Sequence, residues 1–165
     1  MNFISAVKTV FKKYAVFKGR ATRSEYWWFW LFSTIVGLLL GAAIVADLVR
    51  SIRSGAIDMA DEAAVLQAVY LSPFTIVLLI FGIVVFIPTL AVEVRRLHDI
   101  GRSGYWLLAY YLITILLGLI PNILINTVLT LALSVIFIVA MCHRGEEGEN
   151  KYGPNPLEET ENCEM

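Results

Sequence analysis

Within eight residues, Arg95-Arg96-Leu97-His98-Asp99 and Arg102 place three guanidiniums, an imidazole and a carboxylate in an otherwise apolar chain. Guanidiniums pair bidentately with carboxylates or phosphates, and an imidazole can serve as a general base. Two chemistries follow: anion binding by the arginines, or hydrolysis with His98 as base and Ser24 or Ser103 as nucleophile. The second has the poorer geometry. Adjacent helical residues point about 100° apart, so Asp99 is badly placed to orient His98. Helical spacing favours ion pairs instead, with Arg95 and Asp99 four apart and Glu93 and Arg96 three apart. Arg20, Arg23 and Glu25 form a second polar group just before the aromatic cluster Tyr26-Trp27-Trp28-Phe29-Trp30. Counting Arg20, Arg23, Glu25, Glu93, Arg95, Arg96, Asp99 and Arg102 together, five are basic and three acidic. They form an interfacial ion-pair network that clamps helix ends, or the surplus arginines bind a lipid headgroup, a phosphate or an acidic segment of a partner. His98, Asp99, Cys142 and His143 lack the paired spacing of metal ligands, and there is neither a glycine-rich phosphate loop nor a Cys-x-x-Cys pair. No metal, no cofactor and no nucleic-acid partner is expected.

The elements that must hold these residues are membrane helices. Ser103 to Cys142 runs for forty residues without an Asp, Glu, Lys or Arg and is interrupted by Pro121-Asn122. A hydrocarbon core about 30 Å thick needs roughly 20 apolar residues per helix, so this run predicts a two-helix hairpin. Tyr26 to Ala46 and Ala63 to Val92 are also free of charge and predict one span each. A composition that is 58% apolar, with mean hydropathy +0.72, agrees with an integral membrane protein. The expected fold is all-α, with four transmembrane helices at about 26–46, 73–92, 104–120 and 122–142. An extracytoplasmic connection, 47–72, and a cytoplasmic one, 93–103, would join them. The first apolar run is too long for a signal h-region and is expected to be retained.

Residues 1–25 read as an interfacial segment. Phe3, Val7, Val10, Phe11, Tyr14 and Phe17 recur at helical intervals while Lys8, Lys12 and Lys13 lie mainly elsewhere, which describes an amphipathic helix for the membrane surface or for the protein's own cytoplasmic end. Asp58 is the expected N-cap of a short helix up to Tyr70, and Pro88 is expected to kink the second span. Eleven of the thirteen basic residues fall in the N-terminal segment, the 93–103 connection and the tail, leaving Arg50 and Arg53 opposite. The positive-inside rule then puts both termini in the cytoplasm, where Cys142 and Cys163 stay reduced. The tail, 143–165, is acidic and expected to be unfolded past Leu157, whereas Asn150, Tyr152, Gly153 and Pro156 are expected to dock on the arginine cluster.

Three segments, Arg20 to Trp27, Arg95 to Gly104 and Asn150 to Pro156, carry a family pattern. Their Arg-x-x-Arg-x-Glu-Tyr-Trp, Arg-Arg-x-His-Asp-x-Gly-x-Ser-Gly and Asn-x-Tyr-Gly-x-x-Pro signatures resemble the bacterial inner-membrane family called domain of unknown function 805. The resemblance covers nearly the whole chain and implies a four-span inner-membrane protein, without an activity, substrate or cofactor. The expected role is non-enzymatic: a cytoplasmic cap of Arg20, Arg23, Glu25, Arg95, Arg96, His98, Asp99 and Arg102 that binds anionic lipid, a membrane-protein partner or a second copy of the chain. A small transporter or channel subunit, and a membrane-embedded hydrolase using His98, are the alternatives. Transport is the first of these alternatives and hydrolysis the second; against transport, no span carries a charge away from its ends.

Overall fold

The computed structural model describes residues 1–157. Glu158, Glu159, Glu161, Cys163 and Glu164, expected to be unfolded, lie outside the described residues. Among the described residues the chain forms six helices: α1 (Phe3–Lys12), α2 (Arg23–Arg53), α3 (Glu62–Leu71), α4 (Pro73–Asp99), α5 (Tyr105–Gly118) and α6 (Ile123–Cys142). No strand accompanies them there. α2, α4 and α6 are each long and apolar enough to cross a membrane. α5 has 14 residues, about 21 Å of helix, which is shorter than the expected 104–120 span.

Local chemistry accounts for the boundaries. Asn2 accepts from Ser5 N and starts α1, Asn122 accepts from Leu124 N and Ile125 N and starts α6, and Thr22 accepts from Glu25 N at the start of α2. Asp61, not Asp58, caps α3 through Ala63 N and Ala64 N. Asp58 instead closes a turn onto Ala60 N, so the expected helix begins several residues later than its first carboxylate. α4 runs through Pro88 without a break.

Two compact units make up the chain: Phe29–Ile87 is one, and Met1–Trp28 with the residues from Pro88 onward is the other. In the first, Phe32 of α2 meets Phe81 of α4 edge to face at 6.1 Å, and Ser72 Oγ, in the joint between α3 and α4, donates to Asp47 Oδ2 of α2 at 3.0 Å. In the second, α1 buries Ala6 and Val10 completely and sets Phe3 edge-on to Trp28 at 5.7 Å, with Ile4, Lys8 and Lys12 exposed. Its apolar face is thus covered in part by protein. α5 and α6 pack as a hairpin through a stacked Tyr110–Phe137 pair at 4.3 Å, and Asn126 Nδ2 donates to Leu117 O at 2.8 Å. That bond adds a side-chain donor to a carbonyl of the last turn of α5, which also accepts from Ile120 N.

Candidate functional site

The largest fully buried side chains of the second unit are two arginines, Arg95 and Arg96, 1% and 0% exposed. Charges held away from water require partners, and the sequence supplies them from three directions. α4 delivers Arg95, Arg96 and Asp99 from its C-terminal end. The segment entering α2 brings Arg20 and the first turn of α2 brings Glu25, both buried, and the chain leaving α6 brings backbone carbonyls.

Asp99 is the centre of this arrangement. Its Oδ1 accepts from Arg20 Nε at 2.9 Å, and its Oδ2 accepts from Arg96 Nη1. Arg20 spends its remaining donors on Gly148 O at 2.6 Å and on Glu146 O. Arg96 Nε donates to Met141 O at 3.1 Å and Nη2 donates to His143 O, so this guanidinium caps the C-terminus of α6, where unpaired carbonyls and the helix dipole favour a cation. Arg95 Nη1 donates to Glu25 Oε1 at 2.6 Å, while its Nε and Nη2 are buried with no hydrogen-bond partner. Backbone bonds from Ala21 N to Arg95 O, 3.1 Å, and from Glu146 N to Asp99 O, 2.8 Å, complete the clamp.

The tail segment folds onto the same helix end. Asn150 Nδ2 donates to His98 O at 3.0 Å, Tyr152 stacks on the His98 ring at 3.8 Å, and Asn150 and Gly153 exchange backbone bonds in a tight turn. His98 Nδ1 donates to Gly19 O at 3.2 Å. Lying beyond the apolar run of α4, the imidazole is held below its usual pKa, first by burial and, to a smaller extent, by the neighbouring Lys151. Ser24 Oγ bonds Thr22 Oγ1 and Ser103 Oγ accepts from Tyr105 N, so neither hydroxyl is paired with His98. Among the described residues there is no cluster of potential metal ligands.

Five of the eight cap residues from the sequence, Arg20, Glu25, Arg95, Arg96 and Asp99, are buried together, and His98 lies half-buried beside them. Arg23 and Arg102 are exposed. Arg23 lines a cavity of about 270 Å³ with Thr22, Ser24, Arg96, Glu146 and Pro156, and Arg102 lies over the Trp106 ring at 5.6 Å. The expected helix pairs form differently. Arg95 reaches Glu25 rather than Asp99, Arg96 takes Asp99 from three residues away, and Glu93 accepts from Tyr111 OH at 3.1 Å instead of from Arg96. The carbonyls of Met141, His143, Glu146 and Gly148 carry no side-chain signal that could have identified them as arginine acceptors.

Gly145 tests how tightly the clamp closes. A Cβ there would overlap the Asp99 carboxylate, which two arginines prevent from swinging away. Gly145→Ala is expected to destabilise the protein by about 1–3 kcal/mol and to expose the tail. Thermal unfolding in mild detergent, with limited proteolysis after residue 143, would measure both effects; an unchanged melting curve and cleavage pattern would contradict the clamp.

No solved structure matches the chain. Among curated proteins it is similar to the inner membrane protein YhaH of Escherichia coli (strain K12), with 35% identity over 89% of this chain and 92% of that one. It is also similar to the inner membrane protein YhaI of the same strain, with 31% identity over 90% of this chain and 92% of that one. The family described as "Protein of unknown function (DUF805)" matches residues 14–154, a range that contains the arginine clamp and most of the docked tail. The chain is therefore an inner membrane protein that belongs to the DUF805 family.

Proposed function

We propose that the chain crosses the inner membrane four times, keeps both termini in the cytoplasm, and acts by binding anionic lipid at its cytoplasmic face rather than by covalent catalysis. The observation that carries this reading is the division of labour among the arginines. Arg20, Arg95 and Arg96 are taken up by internal carboxylates and carbonyls, whereas Arg23 and Arg102 are exposed and have no carboxylate within ion-pair distance among the described residues. Buried arginines build the cap and exposed ones are left to meet headgroups. Basic residues close to the inner leaflet are attracted to its anionic lipids, by about 1 kcal/mol each. The exposed Lys8, Lys12, Lys13 and Lys18 add to that field, and the exposed Phe17 beside Lys18 suits the headgroup boundary. In this arrangement α5 is the third crossing. The turn that follows it, closed by Leu119 N to Leu116 O and Ile120 N to Leu117 O, lengthens the short helix, and local thinning of the bilayer accommodates the remainder.

The His98 geometry supports binding over hydrolysis. Its imidazole faces a backbone carbonyl and a tyrosine ring instead of a hydroxyl nucleophile.

Native mass spectrometry of protein released from nanodiscs containing equal zwitterionic and anionic phospholipid tests the binding reading. The wild type is expected to retain anionic lipid preferentially, and Arg23→Gln/Arg102→Gln/Arg144→Gln is expected to lose that preference while keeping its melting temperature, because all three side chains are exposed. Equal retention of both lipids by the wild type would overturn it.

A further inference from the structure

A groove of about 560 Å³, separate from the buried clamp, runs along the α5/α6 hairpin. Trp106, Tyr110 and Ile113 form one wall and Leu133, Phe137 and Ala140 the other, with Leu97 and Ile100 at the α4 end. On α5 these positions recur every three or four residues and extend over about 10 Å of helix, so the groove is a slot parallel to the hairpin. Its size is in the range of sites that enclose small ligands. The stacked Tyr110 and Phe137 rings bridge the two helices within it.

Charge is confined to one end. Arg102 stands just before α5 and His143 and Arg144 just after α6, so the hairpin brings all three to the same mouth. No Asp or Glu lines the groove. The Trp106 ring steadies the Arg102 guanidinium. Arg144 has one competing partner, Glu147 at 2.9 Å, but both side chains are more than three-quarters exposed and an ion pair of that kind is weak.

An apolar slot with a cationic mouth is complementary to one kind of molecule present at that depth, an amphiphile with an anionic head. From this we infer that the α5/α6 groove is a specific site for an anionic phospholipid of the inner leaflet. Its phosphate sits between Arg102 and Arg144, and one acyl chain lies in the slot against Phe137 and Ala140. The inference rests on the proposed anionic-lipid function and locates it. It also separates the lipid site from the buried Arg95 and Arg96, neither of which lines the groove. Arg144 also lines the smaller cavity beside Arg23, where Asp99, Glu146 and Glu147 supply as many carboxylates as there are guanidiniums. That neutral cavity is the poorer anion site.

The test fills the slot and leaves every charge in place. Ala140→Phe and Ala109→Phe block it from opposite walls, and Ala132→Phe, on an exposed part of α6 outside the groove, is the control. In nanodiscs of equal zwitterionic and anionic phospholipid, released and weighed by native mass spectrometry, each blocking variant is expected to lose the tightly held anionic lipid about tenfold, while the control keeps it. Arg102→Gln is expected to release it to a similar extent by removing the headgroup contact. If both blocked variants retain the lipid while Arg23→Gln/Arg102→Gln/Arg144→Gln loses it, the groove assignment is overturned and lipid binding at the cap stands. If no variant changes retention, both fall.

Discussion

Arg96→Met is expected to produce the largest loss of stability of any single substitution in the cap. The change removes a buried guanidinium that serves Asp99, Met141 O and His143 O together, and leaves the last carbonyls of α6 without a donor. Breaking a buried pair from one side costs about 3–5 kcal/mol, because the partner stays behind in a poor solvent. For a chain of this length that corresponds to about 6–20 °C in melting temperature. Arg96→Lys is expected to recover little, since an ammonium cannot reproduce a planar fork that reaches a carboxylate on one side and two carbonyls on the other. The measurements are thermal unfolding in mild detergent and protease sensitivity of residues 143–157. A melting point within 2 °C or so of the wild type would show that the buried contacts contribute nothing net.

The Arg95–Glu25 pair is expected to behave non-additively, and in a direction that distinguishes a structural pair from a binding group. Glu25→Leu alone strands a guanidinium that is 1% exposed, and Arg95→Met alone strands a carboxylate that is 3% exposed; each is expected to cost about 3–5 kcal/mol. The double substitution is expected to recover most of this loss, with a coupling energy of about 2 kcal/mol or more. The reason lies in Arg95 Nε and Nη2, buried without partners, so that the intact pair is itself incompletely satisfied and an apolar replacement relieves a desolvation cost. The double variant should also keep its anionic lipid. Strictly additive losses would contradict the pairing, and a stable double variant that no longer retained lipid would transfer the binding role to Arg95.

Much of the architecture is legible in the residues because hydrocarbon allows few solutions. Charge-free runs of the right length must be helices, and Asn122 after Pro121 marks the corner between α5 and α6. Even so, the 14-residue length of α5 is not evident from a run of forty uncharged residues, which contains no signal for where a helix ends inside it. The polar residues of the cap are conspicuous in the sequence, but their pairing is not. Helical spacing nominates Arg95 with Asp99 and Glu93 with Arg96, and it is misleading because long guanidinium side chains choose among every acceptor that the fold brings near. Glu25 lies 70 residues from Arg95, and Tyr111 lies 18 from Glu93. The carbonyls of Met141, His143, Glu146 and Gly148 are still less visible, since each residue of the chain carries the same group.

The distance along the chain between Arg20 and its acceptors bears on how the protein is made. Glu146 and Gly148 are 126 and 128 residues further on, so at about 5–20 residues per second the ribosome supplies them roughly 6–25 s after Arg20. Throughout that interval every apolar helix can be handed to the bilayer while Arg20 still lacks two of its acceptors. Closure of the cap consequently follows the synthesis of every helix. It reports that α6 has been completed and that its end has returned to the side where the N-terminal segment waits, so a misoriented hairpin would betray itself by exposed, unpaired guanidiniums at the membrane surface.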